Sequence, residues 1–236
     1  MKIVAVRWGS FLLAWTLVVA MSAPSLAGET EKIELQTEVD QALSILNGFR
    51  KIPEKAIPDA VLRNARGLAF LTVLRAGFIV SGSGGKGVVV ARLDDGRWSG
   101  PSFIGTGGAG FGFQIGAQVS EFVIVLNTPE AVQVFAKGGN VAIGAQLSGA
   151  AGPVGRSMGA EVMPQAAVYT YSRAQGLFGG IALDGTVIAT RHEANAAYYG
   201  KKVAAAAILA GKVEAPAGAA KLRRELARVT AQAKSE

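Results

Sequence analysis

Cysteine is absent from this chain, and His192 is its only histidine. Without thiols there is no disulfide brace, no thiolate metal site and no thiol nucleophile. A single imidazole excludes His-rich zinc sites and leaves His192 as the one residue that could serve as base in a Ser–His arrangement. His192 lies near a strand end and reads as a surface or hydrogen-bonding residue. Long apolar runs are missing too. The longest, residues 11–21 (FLLAWTLVVAM), is shorter than the roughly 20 residues of a spanning helix and is soon followed by Pro24.

That run belongs to an address label. Lys2 and Arg7 give a positive start, the apolar stretch follows, and Ser25-Leu26-Ala27 forms a small-x-small cleavage site. The expectation is a signal peptide over residues 1–27, cleaved before Gly28, and an exported chain that is periplasmic or secreted and soluble after cleavage. With no cysteine at the processed end, no lipid anchors it there. The remainder has the size of one ordinary domain, able to bury a core without staples.

The formal net charge of +7 is unevenly placed. Lys2 and Arg7 fall in the leader, and residues 201–236 hold eight Lys or Arg against Glu214, Glu225 and Glu236. Residues 28–200 are therefore neutral. A neutral body with a basic end points to local contact with something acidic, and away from a nucleic-acid surface.

What is abundant is glycine, 31 residues of it, and its placement is informative. Along 105–128, Phe111, Phe113, Ile115, Ala117, Val119, Val123 and Val125 alternate with Gly112, Gln114, Gly116, Gln118 and Ser120. Period two is the signature of a strand. Glycine inside a strand calls for a bend, a bulge or a closely pressed backbone. The reading is one long strand at the centre of a curved sheet, kinked near Gly116. Glu121 occupies a core-facing position. Either a bend at Ser120 turns it outward, or it is buried and paired with an arginine.

Residues 29–49 read as a helix whose Ile33, Leu35, Val39, Leu43, Leu46 and Phe49 form one stripe, with acids crowding its first half. The stripe either docks on the domain or lies on a membrane. A short helix over 59–66 follows Pro58, then strands over 68–73, 78–81 and 88–93, with an Asp94-Asp95-Gly96 hairpin turn. Thr128-Pro129-Glu130 starts a helix through an N-cap hydroxyl, a first-turn proline and an acid. Residues 143–148 (IGAQLS) echo 115–120 (IGAQVS), which suggests two equivalent strands. Further strands are expected over 166–171, 179–183 and 187–190, then one helix over 194–210. A basic last helix over 221–233 reads as a solvated terminus.

Two glycine-rich stretches mimic phosphate loops without their context. Residues 82–87 (GSGGKG) lack the Ser or Thr after Gly-Lys and lead into a strand, as does 105–112. Either could still cup an anion in backbone N–H groups, with Lys86 beside it. Asp94, Asp95 and Asp184 sit on apparent turns, where acids bond locally. No catalytic, metal or cofactor site is indicated.

The succession IPDAVLRNARGLAF, RAGFIVSGSGGKGVVVAR, DGRWSGPSFIGTGGAGFGFQIGAQVSEFVIVLN, GAQLSGAAGPVGR, YTYSRAQGLFGGIALDG and NAAYYG resembles the SYLF domain family over residues 33–210. That family includes lipid-binding modules of eukaryotic endocytic actin regulators and exported bacterial proteins. The resemblance implies non-enzymatic binding of membrane phospholipids, phosphoinositides in the eukaryotic members, some of which use an amphipathic helix before the domain. The matching helix here differs in its acidic first half.

Together these readings predict an α+β fold. Its strongly curved antiparallel sheet, a barrel or half-barrel, has flanking helices, with a SYLF-like domain over 28–215 and a basic helix or tail over 216–236. The leading function is a non-enzymatic module that binds phospholipids, with anionic headgroups favoured. The headgroup candidates are Lys51, Lys55, Arg63, Arg66, Arg75 and Lys86, and the apolar membrane-contact candidates are Leu43, Leu46 and Phe49. The alternative is a carrier that encloses a small apolar ligand inside its barrel. An enzyme, the remaining class, would have to draw on Asp95, Glu121 or His192.

Overall fold

A computed structural model describes residues 23–51, 56–78, 80–111, 116–142, 149–151, 166–174, 177–180 and 187–232. A long helix, a short one and a β-hairpin open the described part of the chain. Helix α1 (Ala23–Gly48) is followed by α2 (Asp59–Asn64) and by the paired strands β1 (Gly67–Phe78) and β2 (Val80–Ala91). Then come β3 (Ser102–Phe111), β4 (Gly116–Leu126), α3 (Pro129–Ala136), β5 (Asn140–Ala142), β6 (Gly149–Ala151), β7 (Val168–Ala174), β8 (Leu177–Gly180) and β9 (Val187–Thr190). Helices α4 (His192–Tyr199), α5 (Ala205–Leu209) and α6 (Ala220–Gln232) complete it.

The strands form one sheet in the order β5-β9-β3-β2-β1-β4-β7-β6, with β8 also on β7. Every pairing among them is antiparallel except β6 with β7. The sheet curls as a half-barrel. Because residues 67–71 of β1 and 87–91 of β2 are buried on both faces, they read as near-continuous apolar runs, such as Val88-Val89-Val90, with no alternation to betray them. Even-numbered Leu68, Phe70, Val88 and Val90 pack under α1, α2, α4 and α6; odd-numbered Ala69, Leu71 and Val89 pack against α3 and α5. The core thus has two halves, one on each side of the sheet.

Several sequence expectations change here. Residues 105–126 are not one kinked strand: β3 and β4 are separate and lie on opposite sides of the β1–β2 hairpin, with 112–115 outside the described residues. The β1–β4 register runs unbroken from Gly67↔Leu126 to Gly77↔Gly116, so no bend at Ser120 turns Glu121 away. The glycines of 82–87 lie within β2, and those of 105–110 within β3. Both stretches are ladder segments, 82–87 paired with β1 and β3 and 105–110 paired with β2, and neither opens a helix as a phosphate loop does. At Gly87 a Cβ would sit 1.8 Å from the Phe70 carbonyl oxygen, so a close backbone approach is the reason for glycine there.

The helix expected over 194–210 is two, because Gly200 takes the left-handed conformation at φ 67° and ends α4. The basic terminus is not a loose tail. Leu222, Leu226 and Val229 of α6 are buried in the α1-side core, and Arg223 donates to the Trp98 carbonyl at 2.8 Å. Other expectations hold as read. Thr128 caps α3 by accepting from the Ala131 N–H at 3.1 Å. Gly96, at φ 82°, closes the turn in which Asp95 accepts from the Arg97 N–H. Residues 143–148 and 181–186 lie outside the described residues, as does most of the 143–148 echo's comparison with β4.

Candidate ligand cleft

Helix α1 lies over β2, β1 and β4. Its C-terminal half brings Ala42, Ile45, Leu46 and Phe49 onto the sheet, and these are buried. Its preceding turns present Glu34, Thr37, Glu38 and Gln41 to the outer half of the same strands. Polar side chains do not close onto aliphatic ones, so a cleft of about 660 Å³ remains between them. Its walls are Phe70, Thr72, Leu74 and Val119 with the glycines of β2, and they are mainly apolar. That volume falls within the range of about 300–1,000 Å³ common to small-molecule sites.

Strand register builds the inner end of the cleft. Gly105, Lys86, Thr72, Glu121 and Arg173 are successive cross-strand partners on β3, β2, β1, β4 and β7, all on the α1 side. Above this row stand Glu38 and Gln41. Both Glu38 oxygens accept from Arg191 Nη1, at 2.9 and 2.7 Å, and Lys86 Nζ lies 3.5 Å from Oε1. Glu121 pairs with Arg173 and accepts from Gln41 Nε2 at 2.8 Å. Glu121 is therefore the half-buried, arginine-paired carboxylate of the second sequence reading. One row further out, cross-strand partners Leu74 and Val119 are 50 % and 52 % exposed. Ile33, on the outer part of α1, is 67 % exposed.

The sequence-based candidates do not gather at one place. Lys86 is in the cleft, with its side chain 58 % exposed. Lys51 is exposed just beyond α1, and Lys55 lies outside the described residues. Arg63 ends α2, half-buried; its carbonyl accepts from Arg92 and its own Nε is buried without a hydrogen bond. Arg66 is exposed at the start of β1. Arg75 is exposed nine residues later, about 30 Å along the strand, and on the face opposite Lys86. Leu46 and Phe49 are core residues and Leu43 packs against that core, so with α1 docked the three candidate contacts look inward. The large apolar side chains left exposed among the described residues are Ile33, Leu74, Val119 and Val187.

Residues that sequence reasoning missed are Glu38, Gln41, Arg191, Arg173, Leu74 and Val119. One signal was available. Glu38 sits within the apolar stripe between Leu35 and Ala42, where an unpaired carboxylate would be costly. The residues considered for an enzyme are occupied structurally. Asp95 is held low in pKa by the Arg97 backbone N–H and side chain, Glu121 is paired, and His192 Nε2 lies 2.7 Å from the Gly138 carbonyl oxygen. Among the described residues no cluster of three metal-ligating side chains occurs. No described helix is long and apolar enough to cross a membrane.

A family model described as "Ysc84: Las17-binding protein actin regulator" matches residues 107–229. The chain is 46 % identical over 192 residues to the human SH3 domain-containing YSC84-like protein 1, covering 78 % of this chain and 56 % of that protein. It is 45 % identical over 201 residues to the Schizosaccharomyces pombe SH3 domain-containing protein PJ696.02, covering 81 % and 47 %. To the Saccharomyces cerevisiae protein YSC84 it is 42 % identical over 201 residues, covering 81 % and 43 %. The chain thus spans about half the length of the curated relatives it matches. None of these names indicates a catalytic family.

Proposed function

The chain belongs to the Ysc84 family, the family of the SYLF resemblance, and from that premise we propose that it is an exported, non-enzymatic module that binds phospholipid membranes. One observation carries the reading: Leu74 and Val119, partners across β1 and β4, are left half-exposed beside a cleft with an exposed lysine at its inner end. Apolar side chains entering a bilayer surface supply area, and cations nearby favour anionic lipid. Of the headgroup candidates Lys51, Arg66, Arg75 and Lys86 are exposed and Lys86 lines the cleft, while Lys201, Lys202, Lys212, Lys221 and Arg224 add exposed positive charge at the C-terminal end.

Co-sedimentation with vesicles tests this. Residues 28–236 should pellet with phosphatidylglycerol-containing vesicles and less with purely phosphatidylcholine ones. The double variant Leu74→Asp, Val119→Asp should stay in the supernatant while keeping its fold. Equal recovery of wild type with and without anionic vesicles would end the proposal. Export is tested separately: N-terminal sequencing of the protein recovered from the cell envelope or medium should begin at Gly28.

Family membership also supports a protein partner, since the family description names Las17 binding and actin regulation.

A further inference from the structure

The charges at the inner end of the cleft are not equivalent. Glu38, with its side chain 5 % exposed, is already satisfied by two hydrogen bonds from Arg191, which holds it from the β9–α4 junction. Lys86 reaches the same carboxylate only at 3.5 Å, without a hydrogen bond, and is mostly open to solvent. Glu38, Arg191 and Lys86 together carry one surplus positive charge, and Lys86 is the member that can turn elsewhere at little cost. The remaining nearby charges are Glu121 with Arg173, a pair that sums to zero, and Glu34, exposed on the outer part of α1. An anion at Lys86 therefore meets a cation with slack at the inner end, while Glu34 lies one helical turn further out.

From Lys86 the cleft continues along Thr72, Leu74 and Val119 to open solvent, with Phe70 and Ile45 at its base. The lining suits one aliphatic chain: it is narrow in chemistry, apolar toward the sheet, and of drug-like volume, too small for a whole diacyl lipid. A lysine ammonium is a compact point charge suited to phosphate oxygens.

Resting on the phospholipid-binding reading, we propose that this cleft takes a single-chain lipid with a phosphate head. Lys86 leaves Glu38 to bind the phosphate, and Arg191 keeps Glu38 neutralised when it does so. The chain lies along Leu74 and Val119. Lys86 is thus a headgroup-selecting residue and the Glu38–Arg191 pair is its fixed support.

The test uses dodecyl phosphate below its micelle concentration, titrated calorimetrically into the purified protein, alongside inorganic phosphate and dodecyltrimethylammonium. The expected result is saturable binding of dodecyl phosphate, none of inorganic phosphate, and at least about tenfold weaker binding of the cationic chain. Lys86→Gln should weaken dodecyl phosphate about tenfold and leave the cationic chain unchanged, while Lys86→Arg keeps most of the affinity. Leu74→Trp, at an exposed position that folding tolerates, should fill the cleft and abolish binding of both chains. Unchanged affinity in Lys86→Gln overturns the headgroup assignment. If wild type ignores dodecyl phosphate yet still pellets with vesicles, the cleft assignment falls and the membrane reading stands. If Lys86-dependent binding is found without vesicle binding, the cleft assignment is supported and the membrane reading alone falls.

Discussion

Glu38 on α1 and Arg191, 153 positions later between β9 and α4, meet through two hydrogen bonds of 2.9 and 2.7 Å. The pair fastens the first helix of the domain to the far edge of the sheet. It also fixes the polar end of the cleft, so stability and site share the same two residues.

The two halves of that pair should respond unequally to truncation. Arg191→Ala leaves a buried carboxylate with only the distant Lys86, whereas Glu38→Ala leaves an arginine that can reach water. The expected loss is about 1–3 kcal/mol for Arg191→Ala and less for Glu38→Ala. Urea unfolding of both single variants and the double variant measures it; a larger loss in Glu38→Ala would contradict the burial argument.

Two glycines of β2, three residues apart, should behave oppositely. At Gly87 an added methyl would strike the Phe70 carbonyl, so Gly87→Ala should destabilise by about 3 kcal/mol or abolish folding. At Gly84 nothing lies within 4 Å of the added carbon, and Gly84→Ala should be neutral or stabilising by about 0.4–1 kcal/mol. Thermal melts of the two variants decide it.

Helix α6 should prove part of the folding unit. Leu226 is fully buried against the α1-side core, so Leu226→Ala should cost about 2–5 kcal/mol. Removal of residues 220–236 should leave a protein that no longer unfolds cooperatively. A truncated chain with an unchanged urea midpoint would restore the loose-tail reading.

Alkaline pH should weaken the fold. Burial pushes the Tyr198 phenol up to about 12, and Tyr171 and Tyr199 are pushed further in the same direction by burial. A phenol whose pKa is raised on folding contributes stability that is complete below the unfolded value of 10. That contribution is lost as pH rises through the folded value, because the unfolded chain ionises first. Unfolding free energy should therefore decline from pH 10 toward 12. Tyr198→Phe, which also removes the 2.9 Å bond to Gln36 Oε1, should make the decline shallower; an equally steep decline would mean Tyr198 does not carry it.

Much of the local structure was readable because its causes are local. The Thr128-Pro129 cap, the Asp94-Asp95-Gly96 turn, the stripe of α1 and strand β9 each depend on residues within a few positions of one another. Gly200 is a left-handed stop inside an alanine run, and the helix pattern that continues on both sides of it hides that stop from a local reading. The β2 glycines were misread as a loop for a different reason. Glycine marks both turns and crowded strands, and only the pressing of β1's Phe70 carbonyl against Gly87 distinguishes them.

Composition and pattern by themselves determined that this is an α+β protein without thiol or multi-histidine chemistry and that its sheet is curved and largely antiparallel. These follow from short-range periodicity, turn residues and the residue types the chain lacks. Only the tertiary structure decided that β3 and β4 flank the β1–β2 hairpin and that Leu46 and Phe49 face inward. It likewise decided that Lys86, Glu38 and Arg191 converge while Arg63, Arg66 and Arg75 do not. Strand order and the docking of a helix depend on partners up to 153 positions away, and no local pattern in a single chain encodes which distant partner wins the burial.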